Sequence, residues 1–215
     1  MQKVINKARE ILVNQGEECG LPSFESDIRG MRFEKNIIFD TFQNYAKLTG
    51  VPPLLFNRIK DGCTLINADT HIILTHALPK AMLHRFVSSD TATRLRNLQF
   101  RNNWTLAHEV GHVILGHIKD DAEEERQANL FASELLMPEL VILELKRRLE
   151  RSLPTHELSG LFGVSVSAAN TRISQIERRE CFSAYLKHEI MKKYESLIDE
   201  YVIKNKEKLC LTITV

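Results

Sequence analysis

The stretch Trp104-Thr105-Leu106-Ala107-His108-Glu109-Val110-Gly111-His112-Val113-Ile114-Leu115 decides how this chain is read. Residues 108–112 form the pattern H-E-x-x-H. Side chains four apart on a helix leave the same face, one turn above the other. The imidazoles of His108 and His112 can therefore close on one Zn²⁺, with Glu109 beside the position that a catalytic zinc keeps open. The stretch is helical by pattern, since Trp104, Ala107, Gly111, Ile114 and Leu115 recur on one stripe. The two histidines lie at the margin of that stripe. Asn102 and Asn103 carry capping side chains, which predicts a helix start beside them. Gly111 costs about 1 kcal/mol of helix propensity against Ala and so predicts a close packing partner.

A catalytic zinc needs a third protein ligand. His117 lies about 140° round from His112 if the helix simply continues at about 100° per residue, so it is set aside. A metzincin extension needs Gly and His where Leu115 and Ile118 stand. The next source is the acidic run Asp120-Asp121-Ala122-Glu123-Glu124-Glu125, which opens a second helical segment, Glu123 to Met137, closed by Pro138. Glu125 shares a stripe with Ala128, Asn129, Ala132 and Leu136, and Glu124 shares one with Ala128, Phe131 and Leu135. Glu123 points away from both. Periodicity leaves Glu124 and Glu125 both open as the inward carboxylate.

The run Glu125-Arg126-Gln127-Ala128-Asn129-Leu130-Phe131-Ala132-Ser133-Glu134-Leu135-Leu136-Met137-Pro138, following His-Glu-Val-Gly-His, resembles the ImmA/IrrE metallo-endopeptidases. The resemblance implies Glu125 as third zinc ligand, with Asn129 one turn on, placed to support the ligand shell. It implies Zn²⁺ as cofactor and Glu109 as the catalytic acid/base. It also implies a protein substrate, typically a helix-turn-helix repressor of a mobile element or stress regulon. Gln127 departs from the family, where an acidic residue is frequent at that position. In zincins at large a strand before the metal helix offers its edge to the substrate; the resemblance implies that role for the 71–75 strand, with a plain core strand as the equal alternative.

The rest of the chain sets the frame. Its 215 residues are 43% hydrophobic and 27% charged, enough for a real core. A net charge of +1 exerts no global pull toward nucleic acid or membrane. The N-terminus reads as an amphipathic charged helix without the apolar run of a secretory signal, and no stretch is apolar enough to span a membrane. Cys19, Cys63, Cys181 and Cys210 form no Cys-x-x-Cys pair, which fits reduced thiols in a cytoplasmic protein.

The pattern predicts an α+β fold: a mostly helical zincin-like domain over 1–150 with a small antiparallel sheet, and a helical extension over 151–215 packed on it. Helices are expected at 1–15, 37–49, 138–151, 155–178 (a pair) and 183–206, with a connection over Gly16–Pro22. Strands are expected at 64–66 and 71–75, turning through Asn67-Ala68-Asp69. The stretch 80–103 gives no clear period. The tail from Leu209 to Val215 alternates like a strand.

The helical pair also resembles a helix-turn-helix, with Thr155 and Ser165 as caps and Gly163 at the break. As a DNA reader it would present Ser167, Asn170, Thr171 and Arg172. Residues 139–180 carry seven Lys/Arg against six Asp/Glu, too little positive charge to hold phosphates, so packing is preferred over DNA binding. The alternative to a peptidase is a non-hydrolytic, metal-containing regulatory protein that contacts DNA or a repressor through these helices.

Overall fold

The computed structural model describes residues 1–15, 23–52, 55–56, 61–78, 89–119, 121–176 and 184–213. In chain order these form α1 (Gln2–Asn14), β1 (Asn36–Thr41), α2 (Phe42–Thr49), β2 (Gly62–Asn67), β3 (Thr70–Thr75), α3 (Ser89–Leu115), α4 (Ala122–Leu136), α5 (Glu139–Leu149), α6 (Thr155–Phe162), α7 (Val166–Ile176) and α8 (Ala184–Ile213). The fold is α+β and mostly helical. Among the described residues no helix is long and apolar enough to cross a membrane.

β2 and β3 make the predicted hairpin, with Asn67 opposite Thr70 and Gly62 opposite Thr75. The sheet is mixed, however, because β1 adds a parallel strand on the far side of β3, giving the order β1-β3-β2. The helix expected over 37–49 is therefore two elements. Ile37, Ile38 and Phe39 favour an extended chain, being β-branched or aromatic. Thr41 then caps α2 by accepting from the Asn44 amide at 3.1 Å, and Gly50 closes it at φ 72.

One sheet face carries Ile37, Phe39 and Ile73 into the main core, with Leu106, Ala107 and Val110 of α3. The other carries Ile72, Leu74 and Leu65 against Phe42 and Ala46 of α2. The sheet thus lies between α2 and the metal-motif helix. That main core also takes in Val4, Ala8 and Leu12 of α1, Phe131 and Leu135 of α4, Leu145 of α5, Phe162 of α6, Ala169 of α7 and Ile190 and Ile198 of α8.

Three further expectations change. α3 starts at Ser89, so Asn102 and Asn103 lie inside it; Asn103 Nδ2 donates to Ser26 O at 3.4 Å instead of capping. α8 runs on to Ile213, so the tail read as a strand is helical as far as that residue. Arg172 is fully buried, donating from Nε to Met137 O at 2.9 Å and pairing with Glu134, so it cannot face a DNA groove. Of the predicted caps, Ser165 accepts from the Ala168 amide at 3.1 Å, while Thr155 is the first residue of α6, after Pro154. The expected connection at Gly16–Pro22 and part of the stretch 80–103 lie outside the described residues.

Candidate metal centre

The crossing of α3 and α4 sets the site. A Cβ added at Gly111 would stand 3.1 Å from Phe131 Cδ1 and 3.3 Å from Ala128 Cα and O. Gly111 therefore lets α4 approach the backbone of α3, which is the close partner its propensity cost predicted. The N-terminal turn of α4 is pinned by Asp121, whose Oδ1 accepts from the amides of Glu123 at 3.0 Å and Glu124 at 2.9 Å. This cap sets the rotation of α4 against the histidines.

The two carboxylates left open by periodicity now part. Glu124 folds back and accepts from the amides of Ile118 at 3.1 Å and Lys119 at 2.8 Å. Glu125 faces the imidazoles: Oε1 is 3.1 Å from His112 Nε2, and Oε2 is 3.4 Å from His108 Nε2. The two Nε2 atoms are 3.0 Å apart. His108, His112 and Glu125 form the one group of possible metal ligands found among the described residues. Donors at 2.0–2.1 Å from a tetrahedral zinc stand about 3.3 Å apart, so these side chains fit that ion.

Each ring has a partner on its other nitrogen. His108 Nδ1 lies 3.2 Å from Asn129 Oδ1, and His112 Nδ1 lies 3.1 Å from His117 Nδ1. The amide oxygen can only accept, so His108 donates from Nδ1 and turns a lone pair toward Glu125. In the neutral ring that lone pair and the carboxylate are placed to share a cation. Burial, followed by the nearby His108, pushes the His112 pKa down, which favours the neutral ring that a metal needs.

Glu109 lines the same cleft, a cavity of about 640 Å³ bordered also by Lys35, Ile66, His71 and Ile118. Thr64 of β2 donates from Oγ1 to Glu109 Oε2 at 2.7 Å, and so fixes the carboxylate. Sequence reading passed over Thr64, because a strand hydroxyl shows no local sign of the helix it meets. Cys63, on the sheet face toward α2, has its pKa raised to about 11, first by burial and then by Glu109; its thiol stays protonated. The edge expected on β3 is absent, because β3 is paired on both sides; among the described residues the edge strand near Glu109 is β2.

Two histidines and a glutamate that could hold a metal ion thus converge beside a second glutamate. Residues 96–174 match the model of the Peptidase_M78 family, described as the IrrE N-terminal-like domain. The match begins in α3 and runs through α4, α5 and α6 into α7, so most of the helix-turn-helix-like pair falls within it. No curated protein matches the chain.

Proposed function

We propose that this chain is a zinc-dependent endopeptidase that acts in the cytoplasm on a protein substrate, a helix-turn-helix repressor being the favoured kind. The observation that carries the reading is the convergence of His108, His112 and Glu125 at a cleft that Glu109 lines with His112 and Glu125. Zn²⁺ held by those three side chains would supply Lewis acidity toward a carbonyl and activate water. Glu109 takes the proton of the attacking water and passes it to the leaving amine, while Thr64 holds its carboxylate in place. An extended substrate segment adds to the outer edge of β2 by main-chain hydrogen bonds, which lays it across the cleft.

Burial of Arg172 and the uncharged side chains of Ser167, Asn170 and Thr171 argue against the DNA-binding alternative. The test is Glu109→Gln with repressors encoded beside the gene. The zinc-loaded native chain should cut one of them, and the variant should keep its zinc and lose at least ~10²-fold in rate. A variant that keeps full biological activity would favour the non-hydrolytic regulator.

A further inference from the structure

Beside the converging donors stands a histidine that the proposed chemistry does not use. α3 ends at Leu115, and Gly116 turns the chain at φ 72. The Gly116 amide donates to Val113 O at 3.3 Å and the His117 amide to His112 O at 3.0 Å. This pair of bonds is a Schellman closure. It sets the His117 ring edge-on to that of His112, with centroids 4.9 Å apart, and brings the two Nδ1 atoms to 3.1 Å. On the other side His117 Nε2 lies 3.4 Å from Gln127 Oε1, and Gln127 Nε2 donates to Glu123 Oε1 at 2.8 Å. Arg126 pairs with Glu123 and holds the far end.

The far end dictates the direction of every bond. A carboxylate accepts only, so Gln127 turns its NH₂ to Glu123 and its oxygen to His117. That oxygen accepts only, so His117 carries its proton on Nε2. A neutral imidazole has one N–H, which leaves His117 Nδ1 as an acceptor and makes His112 Nδ1 the donor. His112 Nε2 is then a lone pair, and this is the nitrogen that faces Glu125 and His108.

We infer that His117 is a positioning residue: with Gln127 and Glu123 it forms a one-way relay that fixes the tautomer and orientation of His112 for metal ligation. The inference rests on the metal-site reading above. Gln127 completes the relay without placing a full negative charge against His117. Asn129 serves His108 separately, so each ligand imidazole has its own support.

The test uses the full chain loaded with Zn²⁺ alone. Affinity is read by competition with a chelating dye, and tautomers by long-range proton–nitrogen NMR of the histidines. The native protein should show His112 protonated on Nδ1 and His117 on Nε2. H117F should lower zinc affinity about 10–100-fold with an unchanged circular dichroism spectrum. H117N, which still offers an acceptor near the place of Nδ1, should recover most of that loss. Q127L should let His117 populate its other tautomer. Native His117 protonated on Nδ1, or H117F and H117N both binding zinc as the native chain does, would overturn the relay and leave the metal site standing. A native chain that binds no zinc would overturn both. Should H117F fail to fold, the native tautomers and Q127L decide.

Discussion

Glu125 and Glu134 stand on the same helix, α4, in opposite surroundings. Glu134 is fully buried between two guanidiniums: Arg9 Nε donates to its Oε1 at 2.6 Å, and Arg172 Nη2 to its Oε2. Glu139 brings a second buried carboxylate 3.5 Å from Arg9 Nη2, so two acids and two bases balance inside the protein. Glu125 has a side chain 42% exposed and meets two imidazoles, one of them held toward neutrality by burial. One carboxylate has its countercharge built in by α1 and α7. The other meets two imidazoles, the groups that could share a metal ion with it. The lesson is that charge balance, more than charge density, separates a structural cluster from a binding site.

The comparison can be broken most directly at Glu134. Glu134→Ala leaves one buried carboxylate, Glu139, for two buried guanidiniums and should cost about 3–5 kcal/mol in denaturant unfolding. Glu125→Ala in the metal-free chain should change stability by less than about 0.5 kcal/mol. Equal losses in the two variants would erase the distinction. Gly111→Ala comes next: its methyl would press on Ala128 and Phe131, and the shift should cost about 1–3 kcal/mol despite the better helix propensity of Ala. Zinc affinity should fall with it, because the same crossing sets Glu125. Glu124→Ala removes the acceptor for two amides and should cost about 1 kcal/mol with zinc content intact.

The last effect is an acid one. Hydrogen bonds from Arg147, then Arg148, hold the Glu144 carboxyl down to about 2, against an ordinary 4.5. A pKa depressed by folding adds stability above the unfolded value and loses it as pH falls toward the folded one. Part of the chain's stability should therefore disappear between about pH 4.5 and pH 2, and E144Q should lack that part. Solvent screening limits it to about 1 kcal/mol. Arg148 also reaches Asp199, so the loosening should appear where α5 meets α8.

Local periodicity made the helical frame legible, and the spacing of His108 and His112 exposed two of the three candidate ligands. In three places the deciding contact lay outside the local periodic pattern. β1 was hidden because its parallel partner, β3, lies beyond α2 and β2. The choice between Glu124 and Glu125 was hidden because one step along a helix turns about 100°, and the Ile118 and Lys119 amides that capture Glu124 belong to the preceding loop. β3 lost its expected edge because β1 occupies its far side, which leaves β2 an edge strand among the described residues. His117 is a different case. It was set aside by assuming a continuous helix, yet Gly116 is a stop signal that the sequence displays. Read as a C-terminal closure, it turns the next side chain back toward His112. The alternating tail misled for another reason: a helix already running extends more easily than a lone strand forms.

The central claim is that His108, His112 and Glu125 together hold one zinc ion. Elemental analysis of the native, Glu124→Ala and Glu125→Ala chains after zinc loading and dialysis tests it most directly. The account predicts a single equivalent in the native and Glu124→Ala chains and almost none in Glu125→Ala. A full equivalent retained by Glu125→Ala, or lost from Glu124→Ala, would contradict it.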